Sequence, residues 1–190
     1  MPLKRALQLF PPEVLDASLS KELTKQYVTF KALRHIEKTD IEPDAVYLRA
    51  QMLVKKKLDG SVSSRMPVDG SRQPKDTYGA TYAGTSDATN RSFLLSIALA
   101  YATTRKKLPL LYKGKFDVPA AFLQNLLPRS QTGGRQIVTR MPADLPQVVL
   151  ADGSLGPQAG DWAELLRTIY GLKQSNNLFD YDFCLLLLKN

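Results

Sequence analysis

Asp59-Gly60 lies between two runs of alternating residues, and no other feature of the sequence restricts its folding more. Before it, Val46, Leu48, Met52 and Val54 alternate with Tyr47, Arg49, Gln51 and Lys55; after it, Val62, Ser64, Met66 and Val68 alternate with Ser63, Arg65 and Pro67. Period two is the signature of a strand with one buried face. Asp-Gly between two such runs is a strong hairpin signal, because a tight hairpin turn needs positive φ and these residues accept it. Residues 45–68 are therefore expected to form a β-hairpin that is basic through Lys55, Lys57 and Arg65. A two-residue loop pairs Lys57 with Val62 and Lys55 with Ser64. It also sets Arg65 opposite Val54, on the other face from the two lysines. Only a bulge or a one-residue slip brings all three cations to one face. Pro67 has no N–H to donate and confines the return strand to an edge.

Around this hairpin the pattern predicts an α+β chain. Ser18 or Ser20 can cap a helix carrying Leu19, Leu23, Tyr27 and Phe30. This helix runs out between Thr29 and Asp40. Residues 69–85 read as an irregular connection, and Ser86-Asp87 opens a helix to about Arg105. A strand around Leu110–Val118 leads to a short helix begun by Pro119. Arg135–Arg140 reads as a strand and residues 142–160 as a loop. Trp162–Leu172 is apolar and mixed, with Trp162 expected in the core. Ser175 or Asn176 caps a last helix that buries Leu178, Phe179, Phe183, Leu186 and Leu187. The expected division is an N-terminal extension 1–17, a region 18–110 containing the hairpin, and a region 111–190.

Composition excludes several chemistries. The one cysteine, Cys184, rules out an internal disulfide and a zinc knuckle; it is expected to be buried and inert. The one histidine, His35, is expected at a helix end or in a loop and offers no imidazole pair for a metal. No apolar run reaches the roughly 18 residues of a membrane span. Lys4 and Arg5 precede an apolar stretch that Pro11-Pro12 cuts off, so no secretion signal and no membrane partner are expected. Net charge is +8 and unevenly placed. Residues 1–60 hold 11 Lys/Arg against 8 Asp/Glu, residues 61–115 hold 9 against 3, and residues 116–190 hold 6 against 7. This asymmetry fits an anionic partner held by the first part, and equally a surface kept soluble by lysines.

Two stretches can carry chemistry. In Phe116-Asp117-Val118-Pro119-Ala120-Ala121-Phe122-Leu123 a carboxylate ends an apolar strand just before a small-residue turn. Such a carboxylate and the next carbonyl can hold a hard cation, or the aspartate can serve as a helix cap. Thr168-Ile169-Tyr170-Gly171-Leu172-Lys173-Gln174-Ser175 is a second turn into a helix.

Taken together and in this order, Asp117-Val118 with Ala121-Phe122-Leu123 and then Ile169-Tyr170-Gly171-Leu172-Lys173-Gln174 resemble the reverse transcriptase domain of copia-type long-terminal-repeat retrotransposons. Lys55-Lys56-Lys57-Leu58-Asp59-Gly60 and Ser64-Arg65-Met66-Pro67-Val68-Asp69-Gly70 resemble its basic strands, and Tyr82 to Ala102 its long apolar helix. The likeness covers about Lys21 to Phe183. It implies a right-hand polymerase, with fingers in 18–110 and the first part of the palm in 111–190. It also implies RNA-directed DNA synthesis on an RNA or DNA template-primer from dNTPs with two Mg²⁺ ions, inside the cell in cytoplasm or nucleus. By the same resemblance Asp117 is the first catalytic, metal-binding aspartate and the Val118 carbonyl joins it. Ala120 and Ala121 lie under the triphosphate, and Phe122 is the gate against a 2′-hydroxyl. Arg65 and Lys55 hold the triphosphate, and Lys173 and Gln174 lie beside the nascent base pair.

The chain departs from the family at Pro119, at Pro67 and at Ser175-Asn176-Asn177 with Phe179, where the family has alanine-proline-arginine and a tryptophan. The family's paired aspartates come after the final helix. Asp180-Tyr181-Asp182 lies within that helix and is no substitute, so the chain is expected to lack the C-terminal part of the polymerase and not to polymerise alone. The alternatives are a non-catalytic nucleic-acid-binding remnant of a decayed element and an unrelated basic α/β binding module.

Overall fold

A computed structural model describes residues 1–81, 96 and 118–188. The chain divides into two compact units, Met1–Tyr82 with Ala120–Asn190, and Ala83–Pro119. In the smaller unit Ser96 is helical, Val118 is half-buried and Pro119 exposed. The helix expected over 86–105, the strand up to Val118 and Asp117 itself lie outside the described residues, apart from Ser96 and Val118.

The larger unit is α+β. It opens with helices α1 (Leu3–Leu9) and α2 (Pro12–Thr24), and α2 continues through a π-helical turn, Lys25–Thr29. The strands are β1 (Leu33–Ile36), β2 (Val46–Ala50), β3 (Leu53–Lys56), β4 (Val62–Arg65), β5 (Val68–Asp69), β6 (Ile137–Arg140) and β7 (Trp162–Leu165). Helix α3 spans Ser175–Leu188. A five-stranded sheet has the order β1-β7-β6-β2-β5, and β3-β4 form a two-stranded ribbon. Every pairing is antiparallel except β2 with β6, which run parallel. No helix among the described residues is long and apolar enough to cross a membrane.

Helix α2 begins at Pro12, six residues before the expected cap. Proline suits this first position because its missing N–H has no intrahelical partner there. Leu15, Leu19 and Leu23 give the helix its buried stripe. Ser18 lies inside it, and its hydroxyl pairs with Ser64 of β4 at 2.8 Å instead of capping. Glu22, on the same side, accepts from the Met66 N–H and the Gln26 amide, so a buried carboxylate ties α2 to the end of β4. Residues 1–17 contribute Leu3, Ala6 and Leu15 to the core; the Leu3 N–H donates to the Met52 carbonyl, and Met1 and Val54 each donate to the other's carbonyl.

The alternation over 46–54 is correct in phase: Val46, Leu48, Ala50, Met52 and Val54 are all buried. It is not one strand but two. The hydrogen-bond ladder breaks at Gln51-Met52, where Gln51 donates to the Pro67 carbonyl and the ribbon leaves the sheet. Strand β1 replaces part of the expected run-out of the helix. His35 lies on this strand, exposed beside Glu37 and Asp161, rather than at a helix end or in a loop. Pro119 does not start a helix; Ala120 at φ +52° intervenes before a single 3₁₀ turn, Ala121–Gln124. Trp162 is half-buried on β7, with its ring 5.6 Å from Tyr47, and not in the core. Cys184 is exposed, because it falls on the side of α3 that also exposes Tyr181, Asp182 and Leu185. Leu178, Phe179 and Phe183 are half-buried, while the side chains of Leu186 and Leu187 lie outside the described residues.

Two glycines allow the segment 168–174 to approach β5. Gly171, at φ +96°, lies so close to β5 that a Cβ there would collide with the Val68 carbonyl oxygen; one on Gly70 would meet the Gly171 carbonyl. Gly60, at φ +82°, has open space around it. Gly171→Ala is therefore expected to cost roughly 3 kcal/mol or more, from strain plus collision. Gly60→Ala, with strain alone, should cost about 1 kcal/mol. Urea melts of the two variants check this, and equal midpoints would contradict the close approach.

Candidate nucleic-acid interface

The hairpin turn decides which side chains can act together. Gly60 N–H donates to the Lys57 carbonyl (3.1 Å) and Lys57 N–H to the Ser61 carbonyl (2.8 Å), closing a three-residue loop with Gly60 in the left-handed region. This is a turn followed by a one-residue bulge. Asp59 fixes it, accepting from the Ser61 hydroxyl (2.7 Å) and N–H (2.9 Å), and those bonds hold its carboxyl below the ordinary range. The extra loop residue slips the register by one from the expected pairing. Lys55 now faces Ser63, and Leu53 faces Arg65. Lys55, Lys57 and Arg65 consequently share the exposed face, while Val54, Ser64 and Met66 are buried on the other.

These three cations border a hollow of about 630 Å³ together with Leu53, Ser63 and Tyr170. Tyr170 brings in the second sequence block: the Arg65 guanidinium lies over its ring, 5.2 Å from the centroid. A cation over an aromatic face is attracted by the ring quadrupole. Phe122 packs edge-to-face with Tyr170, ring centroids 5.1 Å apart, and with Phe179 at 6.3 Å. The Thr168 hydroxyl donates to the Phe122 carbonyl, which ties the two blocks together through backbone as well as rings. Arg65, Tyr170 and Phe122, far apart in sequence, thus form one connected row.

The other candidates fall elsewhere in the unit. Ala120 and Ala121 are half-buried at the start of the 3₁₀ turn before Phe122. Lys173 is half-buried with its ammonium over the Tyr78 ring and 3.1 Å from its hydroxyl. Gln174 is fully buried; its Oε1 accepts from Gln73 at 2.9 Å. A side chain so enclosed holds segment 70–78 against segment 168–174. Asp117 lies outside the described residues, and of the metal pair only Val118 is described. Among the described residues no group of three or more His, Cys, Asp or Glu comes together in a way that could hold a metal ion. Tyr170 stands inside the Ile169–Gln174 block, with nothing in the local pattern to mark it as a site residue. Its place beside Arg65 depends on the glycine contact with β5, which no local pattern reports.

No protein-family model, no curated protein sequence and no solved structure matches the chain.

The aromatic row can be tested directly. Edge-to-face pairs contribute about 0.5–1.5 kcal/mol beyond their buried area. A double-mutant cycle with Phe122→Leu and Tyr170→Leu, read by denaturant melts, should give a coupling of about 1 kcal/mol. Additive effects would show that the rings do not support each other.

Proposed function

We propose that this chain is the fingers and first part of the palm of a reverse transcriptase of the copia type, and that its hairpin face grips phosphates of a template-primer or incoming dNTP. The observation that carries the reading is the one-residue slip. It gathers Lys55 and Arg65, the residues that the resemblance assigns to phosphate, and Lys57 on one exposed face with Tyr170 of the second block. Lys57 is attracted to Asp59 of the turn, and among the described residues no salt bridge to an acidic side chain is seen for Lys55, Lys57 or Arg65.

Each residue then has a chemical task. Arg65 presents a planar fork of N–H donors to phosphate oxygens, and Tyr170 restricts its swing. Lys55 and Lys57 add mobile point charges. Phe122, braced by Tyr170 and Phe179, offers a ring edge where a sugar would carry its 2′-hydroxyl. Asp117 and the Val118 carbonyl would supply oxygen ligands for Mg²⁺, which when bound supplies the Lewis acidity for phosphoryl transfer. The competing reading is a nucleic-acid-binding remnant in which the same face binds but Mg²⁺ and sugar selection are lost.

Two measurements separate these readings. Binding of single-stranded DNA should weaken with salt, and replacing Lys55, Lys57 and Arg65 by Ala should flatten the slope of log K against log salt by about 2, at about 0.7 per phosphate. An unchanged slope removes the hairpin from the interface. Binding of a dNTP should depend on Mg²⁺ and lose that dependence in Asp117→Asn, while Phe122→Ala should reduce the preference for deoxyribonucleotide over ribonucleotide. Salt-dependent DNA binding without either dNTP effect would favour the remnant.

A further inference from the structure

A second cationic surface, beyond the hairpin, lies on the solvent face of the five-stranded sheet. The residues Tyr47, Arg49, Gln51, Leu53, Lys55 and Lys57 all keep the exposed phase of the alternating run, even though the ladder breaks in the middle. At the sheet end of this row Tyr47, 56% exposed, meets Trp162 edge-on at 5.6 Å. The Arg140 guanidinium covers part of the Trp162 ring at 5.6 Å and is fixed by donating from Nε to the Gly160 carbonyl (3.0 Å). Tyr47 and Trp162 border a hollow of about 320 Å³ whose remaining wall includes Arg49, Arg72 and Asp69. Asp69 is the acidic member of that wall. It accepts from the Ser71 N–H (3.0 Å) and is attracted to both Arg72 and Arg49, so it offsets part of their charge; two arginines against one carboxylate still leave the hollow net positive.

We infer that this hollow is a binding site for single-stranded nucleic acid, in which an unpaired base lies against Tyr47 beside Trp162 and the flanking phosphates meet Arg49 and Arg72. The surface has the two components that sequence-tolerant single-strand binding needs: exposed aromatic rings to take a base, and cations beside them to track the backbone. A duplex is disfavoured because its bases are already stacked and cannot reach the ring. Arg49 also borders a larger groove of about 760 Å³ that includes Leu53, and Leu53 borders the hairpin hollow, so the two cationic surfaces join along one strand face. The inference does not depend on the polymerase reading.

Trp162 is the only tryptophan in the chain, so its emission reports this site alone. The whole chain is titrated with oligodeoxythymidylate of about eight nucleotides, within the range one such surface spans. Binding is followed by anisotropy of a label on the oligonucleotide and by Trp162 emission. The expected result is quenching that saturates together with the anisotropy, and a much weaker response to a duplex of the same length. Tyr47→Ala should weaken binding roughly ten-fold, Tyr47→Phe should restore it, and Arg49→Ala should weaken binding with a shallower salt dependence. The hairpin variant Lys55→Ala/Lys57→Ala/Arg65→Ala should still quench Trp162 at saturation. Anisotropy without quenching, an equal response to duplex, an unaffected Tyr47→Ala, loss of quenching in the hairpin variant, or no binding at all would each overturn the inference. Failure of the Mg²⁺ and dNTP measurements would leave it intact.

Discussion

The register of one β-ribbon governs the chemistry of this surface. A strand presents alternate residues to opposite faces, so a shift of one residue exchanges the two sets completely. Here the three-residue loop at Leu58-Asp59-Gly60 and the burial of Val54, Ser64 and Met66 require the same register. With a two-residue loop and the same β3, Arg65 would pair with Val54 and turn inward toward α2, where Ser64 now lies buried against Ser18. Burying a guanidinium without an adequate partner costs several kcal/mol, far more than the turn itself contributes. Turn and core therefore agree, and the basic side chains are left together outside.

The second constraint is the approach of segment 168–174 to β5. Val68 N–H donates to the Tyr170 carbonyl at 2.9 Å, and Gly70 and Gly171 remove the side chains that would keep the two segments apart. Below the contact Gln73 and Gln174 bond to each other in the interior, and the Gln73 amide also reaches the Thr77 carbonyl at 3.2 Å. A buried amide pair is costly if half satisfied, so it favours one arrangement of the two segments over nearby alternatives. This junction is what sets Tyr170 under Arg65. The glutamine and lysine of the second block thus have their place in the frame, and the tyrosine has its place at the surface.

The sequence reveals strands whose burial alternates and hides the features set by partners distant in the chain. Val46, Leu48, Met52 and Val54 show their buried face, whereas β6 reads as a short apolar run, Ile137-Val138, whose first three residues are all buried. Strand β1 could not be read in that way, because its two middle residues, Arg34 and His35, are both exposed and Arg34 pairs with Glu164 of β7. Ser18 has the character of a helix cap, yet its hydroxyl pairs with Ser64, 46 positions away, and α2 starts at Pro12. Trp162 and Cys184 were expected inside on the strength of apolar neighbours. Neighbours in sequence do not fix the direction of a side chain on a strand edge or on a helix with few buried positions. Of the candidate site, Arg65, Lys55 and Phe122 were legible as residue types at suggestive spacings. Their convergence on Tyr170 was not, since it needs the loop bulge and the glycine contact at once.

The break at Gln51-Met52 links the two cationic surfaces physically. An unbroken strand would stay in the plane of the sheet and carry Lys55 and Lys57 alongside β6. Instead, Gln51 hands its N–H to Pro67, a residue that cannot itself donate to a ladder, and the ribbon departs while keeping both its pairing and its phase. Tyr47 and Arg49 stay on the sheet beside Trp162, whereas Lys55 and Arg65 move to the 168–174 segment. Pro67, which reads as a disruption of the arginine strand, allows one exposed face to serve both places. Because phase is continuous through the break, no slip of the ribbon could move Arg65 without also moving Asp69 relative to Arg49. The charge balance of the sheet-side hollow and the charge of the hairpin are therefore set by the same pairing.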